Sequence, residues 1–293
     1  MNRAYRARTI KRTRRTKAAI EQLDKQIVDV LAEDSPQSVR HVFYRMTDPR
    51  LPEPVEKSER GYRTVQDRCL KLRRAGVVPY SWISDTSRMG YHTNTYRNAA
   101  EYLRSVAGLY RADLWQRSDV VTYCEVWVES RSLAGVLVDL CRELAVSLYP
   151  AGGFTSASFA YSAAEGLNAQ GATTVFYVGD YDPAGVLIDV AIERELRRHL
   201  KPSAFLTFER IAITEEQIAE YDLPTKPRKG SDRRALHIAE TVEAEAMPAS
   251  IMRNLLRNRI ESLLPDGALD VVRVAEQSER EHIERMADLL EQA

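Results

Sequence analysis

The apolar pattern changes character near residue 120. Before it, Ile20, Leu23, Ile27, Val30 and Leu31 recur at helical spacing and predict a first helix. Ser35-Pro36 reads as an N-cap with proline at the first helical position. The second helix then carries Val39, Val42, Phe43 and Met46, and Pro49, Pro52 and Pro54 end it in a loop. A third helix is predicted from about Glu59 to Ala75, stopping at Gly76. Val77 to Ile83 reads as a short β element. Residues 84–119 read as a connector, with a helix near Tyr96 to Tyr110.

After residue 120 the pattern becomes apolar runs alternating with helical stretches. Strands are predicted at Val120–Val128, Val146–Tyr149, Ala172–Val178 and Ala204–Ile213. Helices are predicted at Leu133–Leu144, after Gly152-Gly153, and at Val186–Leu200. Such alternation implies an α/β fold with a parallel, Rossmann-like sheet and right-handed crossovers. Beyond it, Thr214-Glu215-Glu216 caps a short helix, Leu223 to Ser231 is a Pro/Lys-rich loop, and three amphipathic helices finish the chain.

Charge sharpens this division. Residues 1–119 hold 24 Lys+Arg against 14 Asp+Glu, and residues 120–293 hold 18 against 28, although the whole chain is neutral. A basic front and an acidic back suit a nucleic-acid-binding module joined to a metal-dependent one; a dipolar but ordinary soluble protein is the bland alternative. The first 19 residues form a basic arm that includes Arg12, Arg14 and Arg15, read as a phosphate-binding arm or a solvated tail. Residues 20–90, three helices and a β element, describe a winged helix-turn-helix whose third helix enters a DNA groove. Its candidate DNA contacts are Arg45, Arg63, Arg68, Lys71, Arg73 and Arg74, with Arg88, Tyr91 and His92 following. No apolar run approaches the roughly 18 residues of a membrane span, and the N-terminus has no apolar signal core. Three separated cysteines form neither a disulfide framework nor a metal motif, which fits a reducing, cytoplasmic setting.

The candidate chemistry lies at strand ends. Gly179-Asp180-Tyr181-Asp182-Pro183-Ala184-Gly185 joins an apolar strand to a helix, so Asp180 and Asp182 stand at the carboxyl edge where open α/β sheets bind ligands. Two hard carboxylates there suit Mg²⁺ or Mn²⁺, or else serve as turn and N-cap groups. Glu129 ends the Val120–Val128 run at the same edge. Gly152-Gly153 could cradle a phosphate with backbone N–H groups or simply turn the chain. Glu243 and Glu245 read as solvated helix acids, with a place near the metals as the alternative. Lys226, Arg228 and Lys229 either contact DNA or keep their loop soluble. In the second helix Arg40 and Tyr44 share a face. The guanidinium would favour phenolate and hold a phosphate, though such a tyrosine is ordinarily core.

Arg40-His41-Val42-Phe43-Tyr44, Val126-Trp127-Val128-Glu129 and Asp180-x-Asp182, in this order and spacing, resemble the catalytic motifs of the topoisomerase VI A subunit and the related meiotic double-strand-break proteins, in which a winged helix precedes a Toprim domain. The resemblance covers roughly residues 20–250 and is greatest to free-standing "mini-A" versions. It implies a Toprim domain with a helical extension over 120–293, Tyr44 and Arg40 as catalytic residues, and Glu129, Asp180 and Asp182 as Mg²⁺ (or Mn²⁺) ligands. It further implies double-stranded DNA as substrate, a homodimer whose Tyr44 faces the partner's acids, and a nucleoid-associated location. With no P-loop motif in the sequence, ATP use would fall to a separate subunit. The family often has Lys after the Toprim glutamate; here it is Ser130, so Arg131 would have to substitute for that Lys, or activity would be lower. Two rivals remain: a Toprim nuclease or primase-like enzyme without a covalent intermediate, and a non-catalytic winged-helix DNA-binding protein.

Overall fold

A computed structural model describes residues 15–84, 93–153, 156–228 and 233–292. The front of the chain folds as α1 (Lys17–Glu33), α2 (Val39–Met46) and α3 (Glu59–Arg74), followed by α4 (Ala99–Ala107). The α2 cap is Ser38, not Ser35: its hydroxyl accepts from the His41 N–H. Gly76 ends α3 with a positive φ. The stretch 77–83 does not form a strand. Pro79 removes a backbone donor, Tyr80–Trp82 make a 3₁₀ turn, and only Ile83 pairs, in an isolated bridge with Gln37.

The back half alternates as expected: β1 (Tyr123–Val128), α5 (Arg131–Glu143), β2 (Ser147–Pro150), α6 (Ala157–Gln170), β3 (Ala172–Val178), α7 (Gly185–His199) and β4 (Phe205–Ala212). The strands form one parallel sheet in the order β2-β1-β3-β4. Then come α8 (Glu215–Glu220) with a Thr214/Gln217 capping box, the short ribbon β5 (Lys226–Pro227) and β6 (Glu240–Thr241), a 3₁₀ turn at Ala244–Ala246, α9 (Ala249–Glu261) and α10 (Ala268–Gln292). Two α-helices, rather than three, therefore close the described chain.

Alternation along the central strands builds a layer on each face. Cys124, Val126, Val128, Phe176 and Val178 belong to one core, which runs on without a break through α5 and α9 to α1, α2 and α3. Trp127, Val175 and Tyr177 belong to the other, with Ala160, Leu167, Ile188 and Ile192 from α6 and α7. No described helix is long and apolar enough to cross a membrane. All three cysteines are buried and unpaired.

Candidate active site

Glu129 knots three strand ends together. Its N–H donates to the Val178 carbonyl at 2.9 Å, and its own carbonyl accepts from Gly152 and Gly153 at 3.0 and 3.3 Å. The two glycine N–H groups are thus already engaged in the turn. The Glu129 side chain accepts the Asp180 N–H through Oε2 at 2.8 Å. This approach needs Gly179: a Cβ there would lie 2.7 Å from the Tyr177 ring and 2.8 Å from Glu129 Oε2.

Asp180 and Asp182 take different positions. Asp182 Oδ1 accepts the N–H groups of Ala184 and Gly185 at 2.8 and 2.6 Å, so it serves the turn that starts α7. Asp180 Oδ1 accepts the Ala244 N–H at 2.8 Å. Beside it, Tyr181 and Val242 exchange backbone hydrogen bonds at 2.9 and 2.8 Å. That bridge carries Glu243 and Glu245 up to the Asp180 turn, where both border one cleft of about 510 Å³ with Arg40, Tyr62, Glu129 and Asp180. Glu245 is not a solvated acid: it is 7% exposed. Nothing local in Glu-Ala-Glu-Ala signals this; only the long-range bridge does.

The carboxylates of this cleft are short of solvent. Burial raises Glu129, Asp180 and Glu245 above the ordinary carboxylate range, and the charge of Glu129 raises Asp180 further. Among the described residues no three His, Cys, Asp or Glu side chains are grouped closely enough to hold a metal ion as a cage. Glu129 and Asp180 nevertheless suit a hydrated hard cation. Mg²⁺ keeps several waters and needs only one or two carboxylates, and a cation would relieve their mutual repulsion.

Tyr44 borders an adjoining cleft of about 290 Å³ with Arg40, Lys57, Tyr62, Lys226 and Glu243. Arg40, Tyr62 and Glu243 are common to both clefts. Arg40 pairs with Glu243 and stacks over Tyr62 at 5.2 Å. Tyr44 itself is 7% exposed. Burial raises its pKa, the Glu243 charge and hydrogen bond raise it further, and Arg40 only partly opposes them. In this arrangement the side chain is a phenol.

The candidate DNA contacts are mostly engaged within the protein. Arg15 pairs with Glu53 at 2.8 Å, Arg45 with Glu33 at 2.6 Å, Arg63 with Glu59 at 3.1 Å and Lys71 with Asp67 at 2.7 Å. Such surface pairs contribute little and exchange readily for phosphate. Arg68 differs: it forks onto Asp24, with Nε 2.6 Å from Oδ1, and joins α3 to α1 with both side chains about one-fifth exposed. Arg73 caps the 3₁₀ turn, donating to the Tyr80 carbonyl at 3.0 Å and stacking on its ring at 4.3 Å. Arg74 makes no hydrogen bond or ion pair among the described residues. Lys226 pairs with Glu243, and Arg228 donates to the Ile238 carbonyl at 3.4 Å. Arg12, Arg14, Arg88, Tyr91, His92 and Lys229 lie outside the described residues. Ser130 accepts the Leu133 N–H at 3.2 Å as the N-cap of α5, a role that lysine could not fill.

Comparison with models of protein families and with characterised proteins gave no match for this sequence.

Proposed function

We propose that the chain cleaves DNA by transesterification in the manner of a topoisomerase VI A subunit, with α1–α3 as a winged-helix-like DNA-contacting part and the sheet as a Toprim domain. One observation carries this reading, and it lies within a single chain, where the resemblance implies Tyr44 facing the acids of a partner. Tyr44, Arg40, Glu129 and Asp180, drawn from three separated motifs, border two adjoining clefts that share Arg40 and Glu243. Tyr44 Oη attacks a backbone phosphorus, gives up its phenolic proton to water and becomes linked to the 5′-phosphate. The bond to the 3′ oxygen breaks, and that oxygen leaves as a 3′-hydroxyl after taking a proton. Arg40 releases Glu243 and holds the charged phosphorus centre. Mg²⁺ or Mn²⁺, held by Glu129 and Asp180, would supply charge neutralisation at the phosphate and the departing oxygen. Asp182 acts through the shape of the turn. Two copies of the chain account for two cut strands, and any ATP-driven step belongs to another subunit.

The test is a protein–DNA adduct that survives denaturation, formed on supercoiled plasmid with Mg²⁺. Wild type gives it; Tyr44→Phe does not. Equal adduct from both, or none from either, overturns the assignment. The burial of Tyr44 favours one alternative, a Toprim nuclease in which water attacks. Cleavage to free 5′-phosphate ends that persists in Tyr44→Phe and is lost in Asp180→Asn identifies that chemistry.

A further inference from the structure

Beside Tyr44, two cations share one carboxylate and a third stands close by. Glu243 meets Arg40 through Oε2 and Lys226 through Oε1. These bonds outweigh the effect of burial and hold Glu243 ionised below the usual carboxylate range. Lys57 brings its ammonium 5.6 Å from the centre of the Tyr44 ring and donates to the Thr225 carbonyl at 2.5 Å. Its pKa is lowered by burial first and by the charge of Lys226 second. The other acid of the cleft, Glu59, is paired with Arg63. Glu240 and Glu245 act on Lys57 and Arg40 from farther off, so Glu243 is the carboxylate these cations meet directly, and a phosphate that displaced it would find three cations in one half-enclosed space. The form of that anion can be read from Glu243, whose two oxygens are divided between two cations as the two non-bridging oxygens of a phosphodiester would be.

We propose that Arg40, Lys57 and Lys226 form a seat for a DNA backbone phosphate next to Tyr44, and that Glu243 is the group this phosphate displaces. The proposal rests on the reading of DNA as substrate and Tyr44 as the attacking group. It adds two lysines and a displaceable carboxylate to that site.

The experiment is binding of a short duplex DNA to the full chain, followed by anisotropy across a salt series without divalent metal. Lys57→Gln/Lys226→Gln binds more weakly, and the slope of log K against log salt becomes shallower by about 0.9 per lysine. Lys57→Arg/Lys226→Arg keeps the wild-type slope. Glu243→Gln binds roughly tenfold tighter, the equivalent of about one charge-assisted hydrogen bond no longer competed away, while its melting temperature falls. Lys226→Gln alone, at a side chain 45% exposed, keeps the test independent of folding at Lys57. An unchanged slope in the lysine variants overturns the seat, as does Glu243→Gln binding no tighter than wild type. DNA binding with the expected slopes but no covalent adduct leaves the seat standing and overturns Tyr44 as nucleophile. Absence of DNA binding by wild type overturns both.

Discussion

Arg210 pairs with Asp189 at 2.6 Å, and the pair braces the turn that carries Asp180. The remaining guanidinium N–H groups donate to the carbonyls of Gly179 at 3.1 Å, Asp180 at 3.2 Å, Ile213 at 3.3 Å and Gly185 at 2.7 Å. Arg210 and Asp189 are 16% and 12% exposed at their side chains. Only a planar fork reaches so many acceptors at once. Arg210→Met removes the partner of Asp189 Oδ2 and one donor from each of four carbonyls, of which Gly179 keeps the Ile213 N–H at 2.9 Å, and the expected loss is roughly 3–5 kcal/mol of unfolding free energy. Arg210→Lys recovers little of it, because one ammonium cannot span β4, α7 and the turn. Urea unfolding measures both; a loss below about 1 kcal/mol, the range of surface pairs, would sink the bracing role.

Gly179→Ala separates site geometry from fold. The added methyl would sit 2.7 Å from the Tyr177 ring and 2.8 Å from Glu129 Oε2. Side chains rather than backbone must give way, so the fold persists at a cost of about 1–3 kcal/mol. Glu129 is pushed off the Asp180 N–H, and the proposed metal-dependent cleavage is expected to need about tenfold more divalent metal or worse. A metal titration of cleavage alongside thermal melting checks this; unchanged metal dependence would show that Glu129 is not held by that contact.

The α/β alternation was legible because a parallel sheet covered on both faces demands continuous apolar runs, and Ala172–Val178 is such a run, buried from Thr173 onward. The approach of Glu129 to Asp180 followed from both ending neighbouring strands, and the shared cleft of Arg40 and Tyr44 from their spacing on one helix. What local pattern could not reveal was long-range pairing. Glu243 and Glu245 reach the site only because Val242 bridges Tyr181, a contact between residues far apart in sequence. Val77–Ile83 read as a strand on its apolar content, but Pro79 and the lack of an extended partner decided otherwise. Asp182 shows the limit of motif reading: the same Asp-x-Asp spacing serves a metal or a turn, and here Oδ1 is committed to the turn.

Glu125 makes stability depend on pH. It is 4% exposed, and the Trp127 indole N–H donates to it at 2.9 Å. Burial pushes its carboxyl up to about 7, against the bonds from Trp127 and Tyr123. A carboxyl raised in the folded state binds its proton more tightly folded than unfolded. Its contribution is therefore complete below the unfolded pKa and is lost as pH rises from about 4.5 through about 7, on the order of 3 kcal/mol in all. Glu125→Gln removes this dependence, so the variant gains on wild type as pH increases from 5 to 8. Melting at several pH values in a chelator tests it; parallel pH profiles for the two proteins would exclude Glu125 as the source.

Asp180→Asn should stabilise the metal-free protein and abolish its response to metal. Burial and the charge of Glu129 hold the Asp180 carboxyl well above the ordinary range, so its ionised form is a cost to folding at neutral pH. Asparagine keeps an oxygen for the Ala244 N–H, which Asp180 now satisfies at 2.8 Å, and removes the charge. In a chelator the variant is expected to be more stable by on the order of 1 kcal/mol. If Glu129 and Asp180 hold Mg²⁺ as proposed, the ion competes with protons for them, and the rise in wild-type melting temperature on adding Mg²⁺ is expected to grow with pH. In Asp180→Asn that rise is lost at every pH, and cleavage is lost with it, while DNA affinity without metal is equal to wild type or greater. A variant that melts lower than wild type in chelator, or that still responds to Mg²⁺, would mean that Asp180 is a structural carboxylate satisfied by Ala244 rather than the metal-facing group of the cleft.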